Sequence, residues 1–283
     1  MFKKLFFSLG LVMFFSIAFA ADKNSIQVKG SDTMVNLGQA WAERYMEENT
    51  GDFIAVTGGG SGTGIAALIN SSCEIAECSR SMKKEEIALA ENKGVKPVEH
   101  IVALDGIAVV VHPKNPVSKL TMEQLRGIFM GTIKNWKEVG GDDKQIVLLS
   151  REVNSGTHVF FKEHVLRRGK EKGPEEFAAG ALLMSSSQAI ADEVANNSSA
   201  VGYYGMGYIS PKQKVIAVAK DEKSGYVDPT IAEVVSGRYP ISRPLYIYTN
   251  GEPQGLVKKF LDFALSKEGQ EIVLKLDFVP IKK

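Results

Sequence analysis

The 283-residue chain has little of what builds disulfide scaffolds or metal centres: two cysteines, four histidines (His100, His112, His158, His164) and no Cys-x-x-Cys pair. That excludes a disulfide-framework fold and leaves scant material for a zinc site. It also lacks an excess of either charge. Lys and Arg number 34 against 33 Asp and Glu, so neither a nucleic-acid groove nor a membrane-surface protein is expected. Repeats and low-complexity linkers are missing as well. Apolar residues make up 44% and charged residues 24%, the balance of a globular chain long enough for one large or two medium domains.

A long hydrophobic run occurs only once. Lys3 and Lys4 precede an apolar stretch from Leu5 to Phe19, which ends in Ala18-Phe19-Ala20. At about 15 residues it falls short of the roughly 20 needed to span a bilayer. A basic start, a short apolar run and a small-x-small ending describe a secretory signal over residues 1–20, cleaved after Ala20. The mature chain is then near neutral and soluble. Export places Cys73 and Cys78 where a local disulfide can form. A straight strand over Glu74–Glu77 would instead hold them roughly 16 Å apart, beyond disulfide reach.

The rest alternates strands and helices. Strands are predicted at Ser25–Lys29, Phe53–Val56, Ile75–Ala76, Val102–Val111, Ile146–Leu149, Ala200–Tyr204, Val215–Val218 and Pro244–Tyr248. Apolar residues at 34, 37, 41 and 45 mark a helix over Met34–Tyr45 that Ser31 or Asp32 could cap. Further helices are expected at Ile65–Ile69, Lys83–Lys93, His158–Leu166 and, as a pair, Gly255–Leu274. Such alternation implies an α/β fold with a mainly parallel, helix-covered sheet.

Four times a strand runs into a short polar turn that opens a helix: Gly30-Ser-Asp-Thr33, Gly60-Ser-Gly-Thr63, Cys78-Ser-Arg-Ser81 and Asn154-Ser-Gly-Thr157. Each aims unpaired N–H groups, a small hydroxyl and a positive helix end at one point. A tetrahedral oxyanion needs that arrangement, and glycine lets the backbone approach it closely. One such turn is equally a plain helix cap. Four, with Arg80 and Arg151 beside two of them, point to a shared anion site.

These residues resemble the PstS-type periplasmic phosphate-binding proteins of phosphate ABC transport. The resemblance runs through Gly30-Ser-Asp-Thr-Met34, Trp41-Ala-Glu-Arg-Tyr45, Gly58-Gly-Gly-Ser-Gly-Thr-Gly-Ile65, Cys78-Ser-Arg80, Leu104-Asp-Gly-Ile-Ala-Val109 and Arg151-Glu-Val-Asn-Ser-Gly-Thr157. It continues in Leu120–Gly131, Asn135–Gly140 and the ending Phe278-Val-Pro-Ile281. It implies a two-lobed class II solute-binding fold with two crossover strands at the hinge. The first lobe would take 21–104 plus 244–283 and the second 105–243, with hinges near Gly106–Val111 and Ser242–Leu245. The resemblance also implies a periplasmic, monomeric carrier that delivers inorganic phosphate to an inner-membrane ABC permease, without metal, nucleotide or prosthetic group.

Carried over residue by residue, the resemblance assigns phosphate contacts to Asp32, Thr33, Ser61, Arg80, Asp105, Arg151, Ser155, Gly156 and Thr157. Arg151 with Ser155-Gly156-Thr157 matches the family's Arg-x-x-x-Ser-Gly-Thr, and Ser61 its first-lobe hydroxyl. Asp32 departs from the usual pattern and either faces the ligand or caps its helix. Arg80 stands where the best-known members have Asp, and Asp105 is the natural replacement. A fixed carboxylate can accept the proton that phosphate retains near neutral pH, whereas sulfate would meet an unpaired, repelling acceptor. Asp105 could alternatively be a buried carboxylate tied to neighbouring N–H groups.

Other readings make distinct demands. The same architecture could hold sulfate, molybdate, tungstate or a phosphorylated metabolite. A serine hydrolase could use Ser81-Met-Lys-Lys84 or Ser155 with His158, yet the companion Lys-Thr-Gly and Ser-Asp-Asn motifs and a Gly-x-Ser-x-Gly elbow are missing. Gly58–Gly64 lacks the Gly-Lys-Ser/Thr ending of a P-loop. An adhesion module would show no ligand-dependent closure.

Overall fold

The computed structural model describes residues 24–281. In chain order the first half contains β1 (Asn24–Gly30), α1 (Val35–Glu48), β2 (Asp52–Thr57), α2 (Ser61–Ile69), β3 (Ile75–Cys78), α3 (Lys84–Asn92), β4 (Pro97–Val111), β5 (Lys119–Thr121) and α4 (Met122–Phe129). The second half continues with β6 (Val147–Arg151), α5 (Gly156–Phe161), β7 (Leu182–Met184), α6 (Ser187–Asn196), β8 (Ala200–Gly205), β9 (Lys214–Val215), β10 (Ala217–Ala219), α7 (Ile231–Val235), β11 (Ser242–Asn250), α8 (Gly255–Leu265) and α9 (Lys267–Lys275). Among the described residues no helix is long and apolar enough to cross a membrane. The expected signal sequence lies outside the described residues.

The fold is α/β and two-lobed. One curled sheet runs through it in the order β2-β1-β3-β11-β4-β8-β6-β7, with β9 on β4. The outer pairs β2-β1-β3 and β8-β6-β7 are parallel. The three central pairings, β3-β11, β11-β4 and β4-β8, are antiparallel. The sheet is therefore less uniformly parallel than βα alternation suggests, because two long strands cross between the lobes instead of returning through helices. Strand β4 changes partner midway: Pro97–Gly106 pairs with β11 and Ile107–Val111 with β8.

Each lobe has its own apolar interior. Ile26, Val28, Trp41, Ile54, Ile75, Leu245 and Phe260 belong to one cluster of the first lobe, and Ile65, Leu68, Cys73, Cys78 and Tyr248 to another. In the second lobe Ile107, Val109, Phe129, Trp136, Phe161 and Tyr203 share one cluster, and Ala108, Val110, Leu149 and Ile190 another. Successive residues of β4 thus feed opposite faces, the period of two that a sheet buried on both sides requires. Burying one such large side chain stabilises the fold by about 1.5–3 kcal/mol. Trp41 of α1 also ties the amino-terminal helix to the carboxy-terminal one, its indole N–H donating to Gly269 O at 2.8 Å.

Local details differ from sequence expectation. Helix α1 starts at Val35, one residue after the predicted start, with Met34 in place of Ser31 or Asp32 at its cap position and no side-chain cap. The helix from His158 is regular only to Phe161 and becomes a π turn over Lys162–Leu166. Ile216 interrupts the predicted 215–218 strand, because β9 joins β4 while β10 joins β5. Cys73 and Cys78 are both free thiols, buried in the same first-lobe cluster.

Candidate functional site

Strand polarity brings the polar turns together. Strands β1, β2 and β3 are parallel and end at the same edge, so the turns carrying Thr33, Ser61 and Ser79 lie side by side there. Ser61 Oγ accepts the Ser79 N–H at 3.0 Å and lies 3.3 Å from Ser79 Oγ. Strand β6 of the second lobe delivers the facing turn. There Ser155 caps α5, accepting the N–H groups of Thr157 (3.2 Å) and His158 (3.4 Å). An aromatic group holds α5 in place, with Phe161 stacked on Tyr203 at 3.9 Å between ring centres.

The two lobes meet at this point. Thr33 Oγ1 and Thr157 Oγ1, 124 residues apart in sequence, are separated by 2.8 Å. Gly156 faces Ser61 and Ser79 so closely that a Cβ would lie 2.6 Å from Ser79 Oγ. Here glycine serves close approach. Thr33, Ser61, Ser79, Ser155 and Thr157 are all buried, so their hydroxyls form a shielded cluster that can both donate and accept.

A buried ion pair lies against that cluster. Arg243 of β11 stands opposite Asp105 of β4 in the strand register. Its Nε and Nη2 donate to Asp105 Oδ2 at 3.1 and 2.9 Å, and Nη2 also reaches Thr157 Oγ1 (2.9 Å) and Thr33 Oγ1 (3.4 Å). Nη1 donates to Ser79 O at 2.7 Å. One guanidinium thus touches both lobes and the crossover strand. Asp105 Oδ1 accepts the Met206 N–H at 3.0 Å. Three donors occupy a carboxylate with about four acceptor positions, leaving room for one more. Burial raises the Asp105 carboxyl above the usual range, while the Arg243 charge, its hydrogen bonds and the Met206 N–H pull it back. Burial likewise lowers Arg243.

The sequence-predicted residues do not all converge. Thr33, Ser61, Asp105, Gly156 and Thr157 are in the cluster, and Ser155 supports it as a cap. Arg151 is buried beside it with a different set of partners: Met184 O (3.2 Å), Ser185 O (3.0 Å), Ser187 Oγ (3.2 Å) and Asp32 Oδ2 (2.6 Å). Asp32 also accepts the Gly59 N–H through Oδ1 at 3.0 Å. It therefore joins Arg151 to the Gly58–Gly60 turn, and does not cap α1. Arg80 turns away. Its two Nη atoms clasp the Glu86 carboxylate at 2.8 and 2.7 Å, and Nη1 also donates to Ser81 O.

Arg243 and Ser79 were not among the sequence-predicted contacts. A signal for Arg243 existed: Asp105 is the only charged residue in the apolar run Val102–Val111, and a buried carboxylate demands a cation nearby. Ser79 lies in one of the four polar turns, beside Arg80, whose charge makes the arginine the more obvious anion contact from sequence. The alternative Ser155–His158 pairing as a nucleophile and base finds no support in the contacts. His158 Nδ1 meets Arg151 O (2.8 Å) and Ser150 Oγ (3.2 Å). Desolvation, aided by the nearby Lys162 charge, pushes His158 down to about 4. Among the described residues no cluster of His, Cys, Asp and Glu suits a metal ion.

Comparison with known proteins agrees with this architecture. The family model of the PBP superfamily domain matches residues 18–268. The phosphate-binding protein PstS of Pseudomonas aeruginosa is 34% identical, over 89% of this chain and 81% of that protein. PstS of Bacillus subtilis is also 34% identical, over 91% and 81%. Among solved structures, a Clostridium perfringens protein described as a phosphate ABC transporter substrate-binding protein, with bound phosphate, superposes with a TM-score of 0.82. It is 33% identical and covers 92% of this chain and 100% of its own. An ABC-type phosphate transport receptor from Vibrio cholerae gives a TM-score of 0.72 at 31% identity, covering 90% and 100%. The chain belongs to the PBP superfamily and, within it, to the family of the phosphate-binding protein PstS.

Proposed function

We propose that the chain is an exported receptor that binds inorganic phosphate between its lobes and hands it to an ABC permease in the inner membrane. One observation carries the reading: hydroxyls from opposite lobes, Thr33 and Thr157, meet at 2.8 Å, with the Arg243 guanidinium 2.9 Å from the second. In this reading Thr33, Ser61, Ser79 and Thr157 supply hydroxyl donors. The backbone at Gly156 and Thr157, shaped by Ser155, supplies N–H groups at a positive helix end. Arg243 supplies charge in place of Arg80. Arg151 adds positive potential from beside Asp32.

Asp105 reads the ligand's protonation state. Phosphate near neutral pH carries a proton that can fill the remaining acceptor position, whereas a fully ionised anion would leave it unpaired. Such a site discriminates by about four to five powers of ten at best. Release requires the lobes to part, and ligand favours the closed population. The proposal includes cleavage after Ala20, a periplasmic monomer, and lobes of 21–104 plus 244–283 and of 105–243.

Calorimetry on the mature protein with phosphate and sulfate, at two pH values, tests the proposal. Phosphate binding with no measurable sulfate binding is expected. Equal affinity for sulfate or molybdate would replace phosphate with oxyanions in general, and binding of neither would overturn the reading. Asp105→Asn is expected to weaken phosphate binding or narrow its margin over sulfate, and unchanged affinities would remove Asp105 from the site.

A further inference from the structure

Not every contact across the cleft belongs to the anion cluster. Asn154, in the second lobe, reaches into the first lobe's glycine-rich turn by two routes. Its backbone carbonyl accepts the Gly62 N–H at 2.9 Å. Its side-chain Nδ2 donates to Gly59 O at 2.8 Å and to Thr63 Oγ1 at 3.3 Å. Thr63 Oγ1 in turn donates to Gly59 O at 2.6 Å, which fixes the rim of the socket.

The socket depends on missing side chains. Gly60 has φ +91, a conformation that L side chains rarely adopt, and a Cβ there would stand 2.8 Å from Asn154 O. A Cβ on Gly62 would stand 3.2 Å from the same oxygen. The glycines of this turn therefore admit Asn154 as well as any ligand. A second contact of the same kind lies nearby, where Tyr208 of the second lobe donates its hydroxyl to Asp32 O at 2.6 Å.

From these contacts we infer that Asn154 is a closure latch, a positioning residue that holds the lobes together through direct contact and sets how long the anion stays bound. The inference rests on the two-lobed phosphate receptor described above. A bond made only in the closed state shifts the open–closed equilibrium whether or not ligand is present. Phosphate enters the open form, so the latch slows escape in full and slows capture only by the share of ligand-free molecules it keeps closed. Asn154 is only half-buried, and water competes for its amide. Loss of its side chain therefore corresponds to about a three- to tenfold effect.

The test uses Asn154→Ala in the mature chain, with Tyr208→Phe as a second, independent variant. Stopped-flow kinetics with inorganic phosphate are expected to show release accelerated about three- to tenfold for Asn154→Ala. Association should stay within about twofold of the parent. Tyr208→Phe should accelerate release less, and the double variant should combine the two effects. The ligand-free thermal midpoint should hold, which separates a latch from a residue that merely stabilises a lobe. Unchanged release in a variant that still binds phosphate would overturn the latch alone. If the parent binds no phosphate, the functional reading fails, and small-angle scattering of the ligand-free proteins decides the latch. A larger radius of gyration in Asn154→Ala supports it, and identical profiles refute it.

Discussion

Arg80 follows the end of β3 and Arg243 lies inside β11, and both are nearly buried, at 8% and 3% exposure. Their partners differ. Arg80 is clasped by Glu86, six residues on, a carboxylate that also accepts the Lys83 N–H at the start of α3. Arg243 is paired with Asp105, 138 residues away, and shares its remaining donors with Ser79, Thr33 and Thr157. A cation spent on a carboxylate of its own helix start has little left for a ligand. One held by a crossover-strand carboxylate is fixed where both lobes can reach it. Arginine beside a promising turn is thus weak evidence until the nearest acid has been located.

Breaking the Arg243 pair should have the largest effect. Arg243→Met leaves Asp105 charged and unpaired in the interior, which costs about 3–5 kcal/mol, and phosphate binding should disappear. Chemical denaturation and calorimetry measure the two losses. Binding retained at parental affinity would return the role to Arg80. The matching change, Arg80→Met, should cost about 1–3 kcal/mol, since it removes charged hydrogen bonds from Glu86, and leave phosphate affinity within about threefold by the same scale. A collapse of affinity at preserved stability would reverse the comparison.

Two buried titrating groups sharpen the contrast between the lobes in opposite directions. Burial pushes Glu77 of β3 up to about 8, and its Oε1 has no hydrogen-bond partner. Its contribution to stability is full below the ordinary glutamate range near 4.5 and is lost as pH rises through about 8. Glu77→Gln should therefore flatten the alkaline side of the stability profile. His158 of the second lobe behaves oppositely. With its folded value near 4, its contribution is full above about 6.5 and fades as pH falls through about 4. Thermal melts across pH 4–9 on the parent and Glu77→Gln check both slopes, and a parallel pair of profiles would contradict the Glu77 assignment.

The smallest effect concerns Cys73 and Cys78. Both thiols are buried, and burial raises them, Cys73 to about 12. A thiol reagent should find neither in the folded protein and both after unfolding in denaturant, and a non-reducing assay that never finds two thiols would mean a disulfide.

Much of the architecture was legible because it is written in short-range patterns. Alternating apolar runs located β1, β4, β8 and β11, and helical spacing located α1 and the α8–α9 pair. Short polar segments at strand ends marked all four of the turns that face one another. That Asp32 does not cap α1 was not legible, because it spends its carboxylate on Gly59 and Arg151, partners that no local window contains. The antiparallel centre of the sheet escaped for a similar reason, since it depends on how two long strands cross between lobes.

By itself the sequence determined which segments extend, which coil, and where small polar residues open a helix, because those preferences act within a few residues. It also carried a signal that Asp105, the one charged residue of the run Val102–Val111, wants a cation, because burial of a lone carboxylate is costly wherever it happens. Ligand or backbone N–H groups fitted the same sequence. Only the tertiary structure decided which cation. Arg80 and Arg243 have the same chemistry, and the choice between them followed from strand register, which sets Arg243 opposite Asp105 and leaves Arg80 beside Glu86.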